Sequence, residues 1–282
     1  MPRYTGQEII TAIEMEGDPR AVLIVESDED QCIVDPHLDF TVARTLPSHG
    51  KLAAIAAAQL ISTSPNLPPI ACLIDGDFDA ILGTDTYPSG CYPTNYYDLL
   101  VEVVVLAPNL LRRVALSAGI SSQVLELERQ LGVSLSDWLG ARSATVGALR
   151  LHSQQAGLAI PLRNFPYNGL ASVPTAQRFT DKVAAIGSLR SGSLYSTADL
   201  SQGIRQVLQT QASDSLMNGH DLLGLLVDLL RSNGISSATT RGILIAAASS
   251  ISCGIFAQVG IYSNLATWIQ SGTSVWSCPN HV

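Results

Sequence analysis

The stretch Asp75-Gly76-Asp77-Phe78-Asp79 sets three carboxylates at alternate positions directly after the apolar run Ile70 to Ile74. A second acidic cluster, Glu26-Ser27-Asp28-Glu29-Asp30, follows the apolar run Ala21 to Val25. Carboxylates crowded together do not all ionise at neutral pH unless a cation lies among them. Their hard oxygen donors suit Mg²⁺ or Mn²⁺, and the chemistry such a centre supports is phosphoryl transfer, in which the ion polarises a phosphodiester and activates water. Glu26 then has the type and place of a further ligand or a general acid/base. Lys51, after the turn Ser48-His49-Gly50, has the charge to balance a phosphate. Each feature also has a plainer meaning: DGDFD as a solvated loop, Glu26 to Asp30 as acids favoured at a helix start, Lys51 as a surface lysine.

Asp75, Asp77 and Asp79 do not begin a calcium-binding EF-hand, which needs glycine at its sixth position and glutamate at its twelfth; Ala80 and Thr86 stand there. Phosphatases of the haloacid dehalogenase class carry DxDx[TV] after a strand, but Asp79 occupies the last position and the motif follows the third apolar run, not the first.

The elements that must carry these acids follow from periodicity. Residues 5–16 predict a short amphipathic helix with Ile9, Ile10 and Ile13 on one face and a Thr5/Glu8 capping box. Ala21 to Val25, Asp39 to Leu46 and Ile70 to Ile74 predict three strands, and LAAIAAAQLI after Lys51 predicts a helix stopped by Pro65, Pro68 and Pro69. Alternating helices and strands imply a parallel sheet, whose ligands gather at the carboxyl ends of its strands. Both acidic clusters follow strands directly, so the sheet brings them to one edge. Residues 80–94 predict a loop by their Gly, Pro and Asp content. From Pro108 onward the pattern turns helical, with further helices at 180–189, 196–211, 221–233 and 237–250. The expected division is an α/β domain over residues 1–107 and a mainly helical region over 108–282.

Charge follows the same division. Residues 1–100 hold 4 Lys+Arg and 15 Asp+Glu, giving −11; against totals of 16 and 24, the remainder holds 12 and 9, giving +3. The acidic part suits a cation, and the eleven arginines of the rest suit phosphate or a solvated surface. The five cysteines, Cys32, Cys72, Cys91, Cys253 and Cys278, form no CxxC pair and no zinc-type spacing, so reduced thiols in a cytoplasmic protein are expected. The first eighteen residues lack the apolar core of a signal peptide. Gly242 to Ile261 is long and uncharged, but its Ser, Gly and Gln content predicts a buried helix or helix pair, with no membrane contact.

Glu26 with Asp30 after a strand, then His49-Gly50-Lys51, then Asp75-x-Asp77 after another strand, resemble the Toprim fold shared by primases, topoisomerases and OLD-type nucleases. More narrowly, IVESDED, LIDGDFD, TNYYDLLVEV, GALRLHSQQAGLAIPLRNF and NGHDLL are similar to Toprim-like effectors paired with ABC-type ATPases, the AriB-like subunits of PARIS anti-phage defence. The resemblance runs from about Ala21 to Leu223. It implies a Mg²⁺-dependent nuclease held by a partner ATPase, released on infection, acting as a toxic effector on tRNA and dimeric when active. It also implies Glu26 as general acid/base and metal neighbour, with Asp75 and Asp77 as metal ligands and Asp30 and Asp79 as further ones. Ser27 departs from the glycine that often follows the Toprim glutamate. The alternatives are a regulatory subunit that keeps the fold and only binds an ATPase, and an OLD-type DNA nuclease.

Overall fold

Ala21–Val25 is buried at all five positions, and so is Ile70–Ile74. Such strands belong inside a parallel sheet with both faces covered. The computed structural model, which describes residues 4–61, 64, 67–119, 121–265, 268 and 274–278, contains that sheet. The elements run in order α1 (Gly6–Glu16), β1 (Ala21–Val25), α2 (Asp28–Val34), β2 (Ala43–Pro47), α3 (Lys51–Ile61), β3 (Ile70–Ile74), α4 (Asp79–Leu82), β4 (Cys91–Pro93) and α5 (Leu99–Leu106). The sheet order is β2-β1-β3-β4 and every pair is parallel, so the α/β class is observed.

Strand periodicity divides the sheet's side chains between two layers. Val22 and Ile24 of β1 and Ile70, Cys72 and Ile74 of β3 pack with Ile9, Ile10 and Ile13 of α1 and Ala54, Ala57 and Ala58 of α3. Alanines let α3 lie close, and Thr5 caps α1 with Glu8 as its capping-box partner. On the alternate positions of β1, Leu23 and Val25 are equally buried; α2 packs against β1 and β2, and α5 against α2.

Val25 lies opposite Pro47, Ile24 opposite Cys72 and Ile74 opposite Pro93. The chain leaves β1 toward β2 on one side, then enters β3 on the other. That reversal makes the carboxyl ends of β1 and β3 the switch point where open α/β sheets bind ligands.

The chain forms two compact units, 1–107 with 248–282 and 108–247. The second is helical: α6 (Leu110–Ala118), α7 (Ser121–Leu131), α8 (Leu135–Gln155), α9 (Ala176–Arg190), α10 (Thr197–Thr210), α11 (Ser213–Leu216) and α12 (Gly219–Ser232), with the division falling inside α13 (Thr240–Ser249). α8 is its axis, packed by α6, α7 and α9 to α12. The buried Asp221 accepts hydrogen bonds from Arg150 Nη2 (2.8 Å) and the Tyr167 hydroxyl (2.5 Å), and Arg150 Nη1 donates to the Leu162 carbonyl (2.9 Å). Arg142 stacks 4.3 Å over Phe179 and donates to the Val173 and Thr175 carbonyls. Arg112 pairs with Glu128 and Arg129 with Glu126. These arginines serve the helical unit's own structure.

Several expectations need correction. The helical region does not extend to residue 282, because 248–282 belongs with the sheet unit. The second strand is Ala43–Pro47, not 39–46; Asp39 Oδ1 accepts the Thr41 N–H (2.9 Å) and the Val42 N–H bonds to the Asp39 carbonyl (3.0 Å), and these turn bonds keep 39–41 out of the ladder, which begins where the Val42 carbonyl accepts the Ala21 N–H (3.0 Å). The expected loop at 80–94 holds β4, an edge strand only three residues long. Gly242 to Ile261 is divided among α13, α14 (Cys253–Phe256) and α15 (Gly260–Leu265), and among the described residues no helix is long and apolar enough to cross a membrane. Pro65, one of the expected helix stops, lies outside the described residues. Cys253 and Cys278 are joined in a disulfide, with Cα atoms 5.4 Å apart, while Cys32, Cys72 and Cys91 form no disulfide.

A Cβ on Gly147 in α8 would overlap the Leu216 carbonyl oxygen of α11. Gly147→Ala is therefore expected to destabilise the helical unit by at least about 1–3 kcal/mol, the usual range for overpacking, read as a lowered thermal midpoint.

Candidate functional site

The carboxyl edge of the sheet is assembled by main-chain hydrogen bonds. The Ser48 N–H donates to the Val25 carbonyl (2.8 Å) and the buried Ser48 hydroxyl bonds to the same oxygen (3.1 Å), which fixes the turn after β2 beside the end of β1. His49 takes a left-handed conformation there (φ 56°), and Lys51 opens α3. After β3, Gly76 has no room for a side chain: a Cβ would lie 2.5 Å from the Tyr96 carbonyl and 2.7 Å from that of Thr94. The Thr94 hydroxyl accepts the Gly76 N–H (2.8 Å), and the Asp77 N–H, at φ 48°, donates to the Tyr97 carbonyl (2.8 Å). Phe78 is buried edge-on against Tyr97, with ring centres 4.8 Å apart. DGDFD is thus a locked turn.

Glu26 and Asp75 meet at the switch point. The Asp75 N–H donates to Glu26 Oε2 (3.3 Å), and the Lys51 N–H at the start of α3 bonds to the same carboxylate. Asp30 lies behind them, 7% exposed, its Oδ2 accepting the Ser27 N–H (2.9 Å) and hydroxyl (2.7 Å). Ser27 is the N-cap of α2 with extended backbone (φ −142°), so the position has no need of the glycine expected there. Asp30 is therefore both a capping-box acid and a member of the cluster.

Burial raises the Glu26 carboxyl above its ordinary range; the Asp75 N–H opposes that and the Asp77 charge adds to it. Burial pushes Asp30 up to about 7, against the Ser27 hydroxyl and with help from the charges of Asp98 and Glu26. Asp75 is held well above its usual value by burial, then by Asp30, Asp98, Glu26 and Asp77. Among the described residues, no lysine or arginine forms an ion pair with Glu26, Asp30 or Asp75.

Asp77 and Asp79 are placed differently. Lys51 Nζ lies 2.8 Å from Asp77 Oδ2 and 2.6 Å from Asp79 Oδ2, and the Tyr87 hydroxyl donates to the same Asp79 oxygen (2.6 Å). Burial alone would lower the Lys51 ammonium, but its bonds to Asp77 and Asp79 outweigh that and raise it. Burial alone would raise Asp79, but Lys51 and Tyr87 hold it below its usual value. Lys51 thus divides the expected ligand set into an ion-paired couple, Asp77 and Asp79, and a crowded group, Glu26, Asp30 and Asp75.

Sequence reasoning missed Asp98, the buried N-cap of α5, whose side chain accepts the Val101 N–H (2.9 Å) while its charge bears on Asp30 and Asp75. Its only signal was an acid directly before the apolar run Leu99 to Leu106. Glu102 is buried too, but it serves the structure, accepting the N–H groups of Asn95 (3.1 Å) and Gly260 (2.8 Å).

In chemistry the crowded group fits a hard divalent cation: oxygen donors, mutual repulsion and, among the described residues, no direct ion pair, the nearby Lys51 charge only partly easing Glu26. In geometry it is not closed around one, since the only three His, Cys, Asp or Glu side chains among the described residues whose ligand atoms all lie within 4.8 Å of one another are His37, Cys253 and Cys278. No family model, curated protein or solved structure matches the chain.

A carboxyl that titrates near 7 when folded and near 4 when unfolded takes up protons on folding between those values, so stability falls as pH rises through that window and levels off above it. Metal-free protein is accordingly expected to melt at a higher temperature at pH 5 than at pH 8. Asp30→Asn should flatten that dependence, as followed by circular dichroism.

Proposed function

We propose that the chain is a metal-dependent phosphodiesterase of Toprim-like type, a nuclease working at the carboxyl ends of β1 and β3. The observation that carries this reading is the pairing of Glu26 with Asp75 at the switch point, both with raised carboxyl pKa and no ion-pairing cation among the described residues. Asp75 and Glu26, with Asp30 and Asp98 behind them, would hold Mg²⁺ or Mn²⁺, and Asp77 and Asp79 would join where Lys51 gives way to substrate. The ion's contribution when bound is to polarise the phosphodiester and acidify water. Glu26, its carboxyl raised above its ordinary range by burial, takes the proton from the attacking water. Lys51, at the mouth of the site with its side chain 16% exposed, faces the phosphate. The resemblance in sequence extends the proposal to tRNA as substrate, an ABC-type ATPase as partner, a homodimer as the active form and a toxic role in anti-phage defence in the cytoplasm.

A second reading has its own support. Lys51 already pairs with both Asp77 and Asp79, and no three acids among the described residues of the site close around one point. A regulatory subunit that keeps the fold and binds an ATPase without cutting nucleic acid would have such a site.

Cleavage of total RNA and of plasmid DNA with Mg²⁺ or Mn²⁺ decides between them. The nuclease reading expects discrete fragments from wild type and a loss of roughly 10²–10⁴-fold in Glu26→Gln, in line with the contribution of a general acid/base. Asp75→Asn should lose as much while both variants keep their circular-dichroism spectra. Wild type that cuts neither polymer, alone and with its ATPase, or folded variants that cut as well as wild type, would leave the regulatory reading standing.

A further inference from the structure

His37, Cys253 and Cys278 come from three separate segments and converge away from the acidic edge. His37 closes the short 3-10 turn Asp35–His37, Cys253 opens α14, and Cys278 lies in a terminal stretch pinned to the turn. The Asp39 N–H donates to the Val275 carbonyl (2.8 Å), the Ser277 N–H to the His37 carbonyl (2.9 Å), and Leu38 bridges Trp276 antiparallel. Phe256, whose ring is 4.1 Å from His37 and nearly parallel to it, fixes the imidazole plane; Trp276 lies edge-on to Phe256 and donates from Nε1 to the Tyr262 carbonyl (3.0 Å). The result is a rigid apolar shell around one imidazole and two sulfurs.

The imidazole is poorly served by a disulfide. Among the described residues, His37 is 3% exposed, its Nδ1 meets only the Cys278 sulfur at 3.3 Å, and its Nε2 has no hydrogen-bond partner. Buried polar groups are normally satisfied, and sulfur is a weak partner for a ring nitrogen. A metal at Nδ1 would use the lone pair that nothing else strong takes up.

We propose that, once the Cys253–Cys278 bond is reduced, His37 Nδ1 and the two thiolates form a zinc site, so that the terminal segment is held by the disulfide when oxidised and by the metal when reduced. The proposal does not depend on the acidic edge. Ligand type favours Zn²⁺, since two thiolates and an imidazole are soft-to-borderline donors that hard cations avoid. Geometry favours it as well: with Zn–N of about 2.0–2.1 Å and Zn–S of about 2.3 Å, a tetrahedral centre sets nitrogen and sulfur about 3.6 Å apart, close to the observed 3.3 Å. The two sulfurs need about 3.8 Å on the same bond lengths, near the van der Waals contact to which breaking the covalent bond releases them. Two thiolates, a neutral imidazole and a divalent cation sum to zero charge, which suits an apolar shell. Cys253 is the less buried of the three residues, which leaves a water room to complete the coordination.

The chemistry balances with a dithiol reductant. The dithiol gives two electrons and two protons to the disulfide, becoming a disulfide itself and leaving two thiols on the chain. Zn²⁺ then displaces both thiol protons to solvent.

Cobalt(II) reports the site without interference from acids, because a thiolate-to-cobalt charge-transfer band arises only from sulfur ligands. Full-length protein reduced anaerobically with a phosphine is expected to bind a single equivalent of Co²⁺ with that band, Zn²⁺ should displace it, and oxidised protein should show none. Cys253→Ser, which leaves only the Cys278 thiolate, should lower the band's intensity per bound Co²⁺ by about half or more and weaken Zn²⁺ by more than the roughly 10–100-fold typical of losing an outer-shell partner. His37→Gln should keep sulfur binding but shift the band and weaken Zn²⁺, and both variants are checked for folding by circular dichroism. Reduced wild type that shows no charge-transfer band, or a folded Cys253→Ser that binds Zn²⁺ as tightly as wild type, overturns the proposal.

Discussion

The Glu26 carboxylate is the clasp of the sheet's functional edge. It accepts the main-chain N–H of Asp75 and that of Lys51, tying together the ends of β1 and β3 and the start of α3. Accepting N–H bonds favours the charged form, while burial and the neighbouring acids oppose it. The structure keeps both effects in one place: the Asp77 charge bears on Glu26, and Glu26 in turn joins Asp30 and Asp98 in raising Asp75. A site held so rigidly is suited to catalysis, where the groups must be in place before substrate arrives.

Much of this edge is legible in the sequence for a simple reason. Five consecutive apolar residues followed by an acid mark a parallel strand and its carboxyl end, and parallel strands deliver such ends to one side. Glu26 and Asp75 meet as that logic requires. The same logic treats Asp77 and Asp79 as equals of Asp75, and there it is incomplete, because period-two spacing says nothing of the left-handed turn at Asp77 or of Lys51 reaching across from α3. Asp98 escapes notice since its importance comes from where α5 begins in space. β4 is only Cys-Tyr-Pro in a stretch rich in turn residues, and local sequence gives it no strand signature.

The cysteines teach the same limit. Their spacing excludes local zinc motifs, but the pairing of Cys253 with Cys278 and their approach to His37 depend on the terminal segment returning to the sheet unit. In the helical unit, two of the segments likened to Toprim-like effectors are structural partners of one another: Arg150 from one pairs with Asp221 from the other, and Tyr167, just beyond the first segment, joins them. Their chemistry is spent on holding α8 to α12.

The central claim is that the crowded carboxylates at β1 and β3 are a cation site, and calorimetric titration of reduced, metal-free protein with Mg²⁺ at pH 8 tests it most directly. The account predicts saturable binding that raises the melting temperature and is weakened at least about tenfold in folded Asp75→Asn, a change of 1.4 kcal/mol or more. No saturable binding to wild type, or equal binding to the variant, would contradict it.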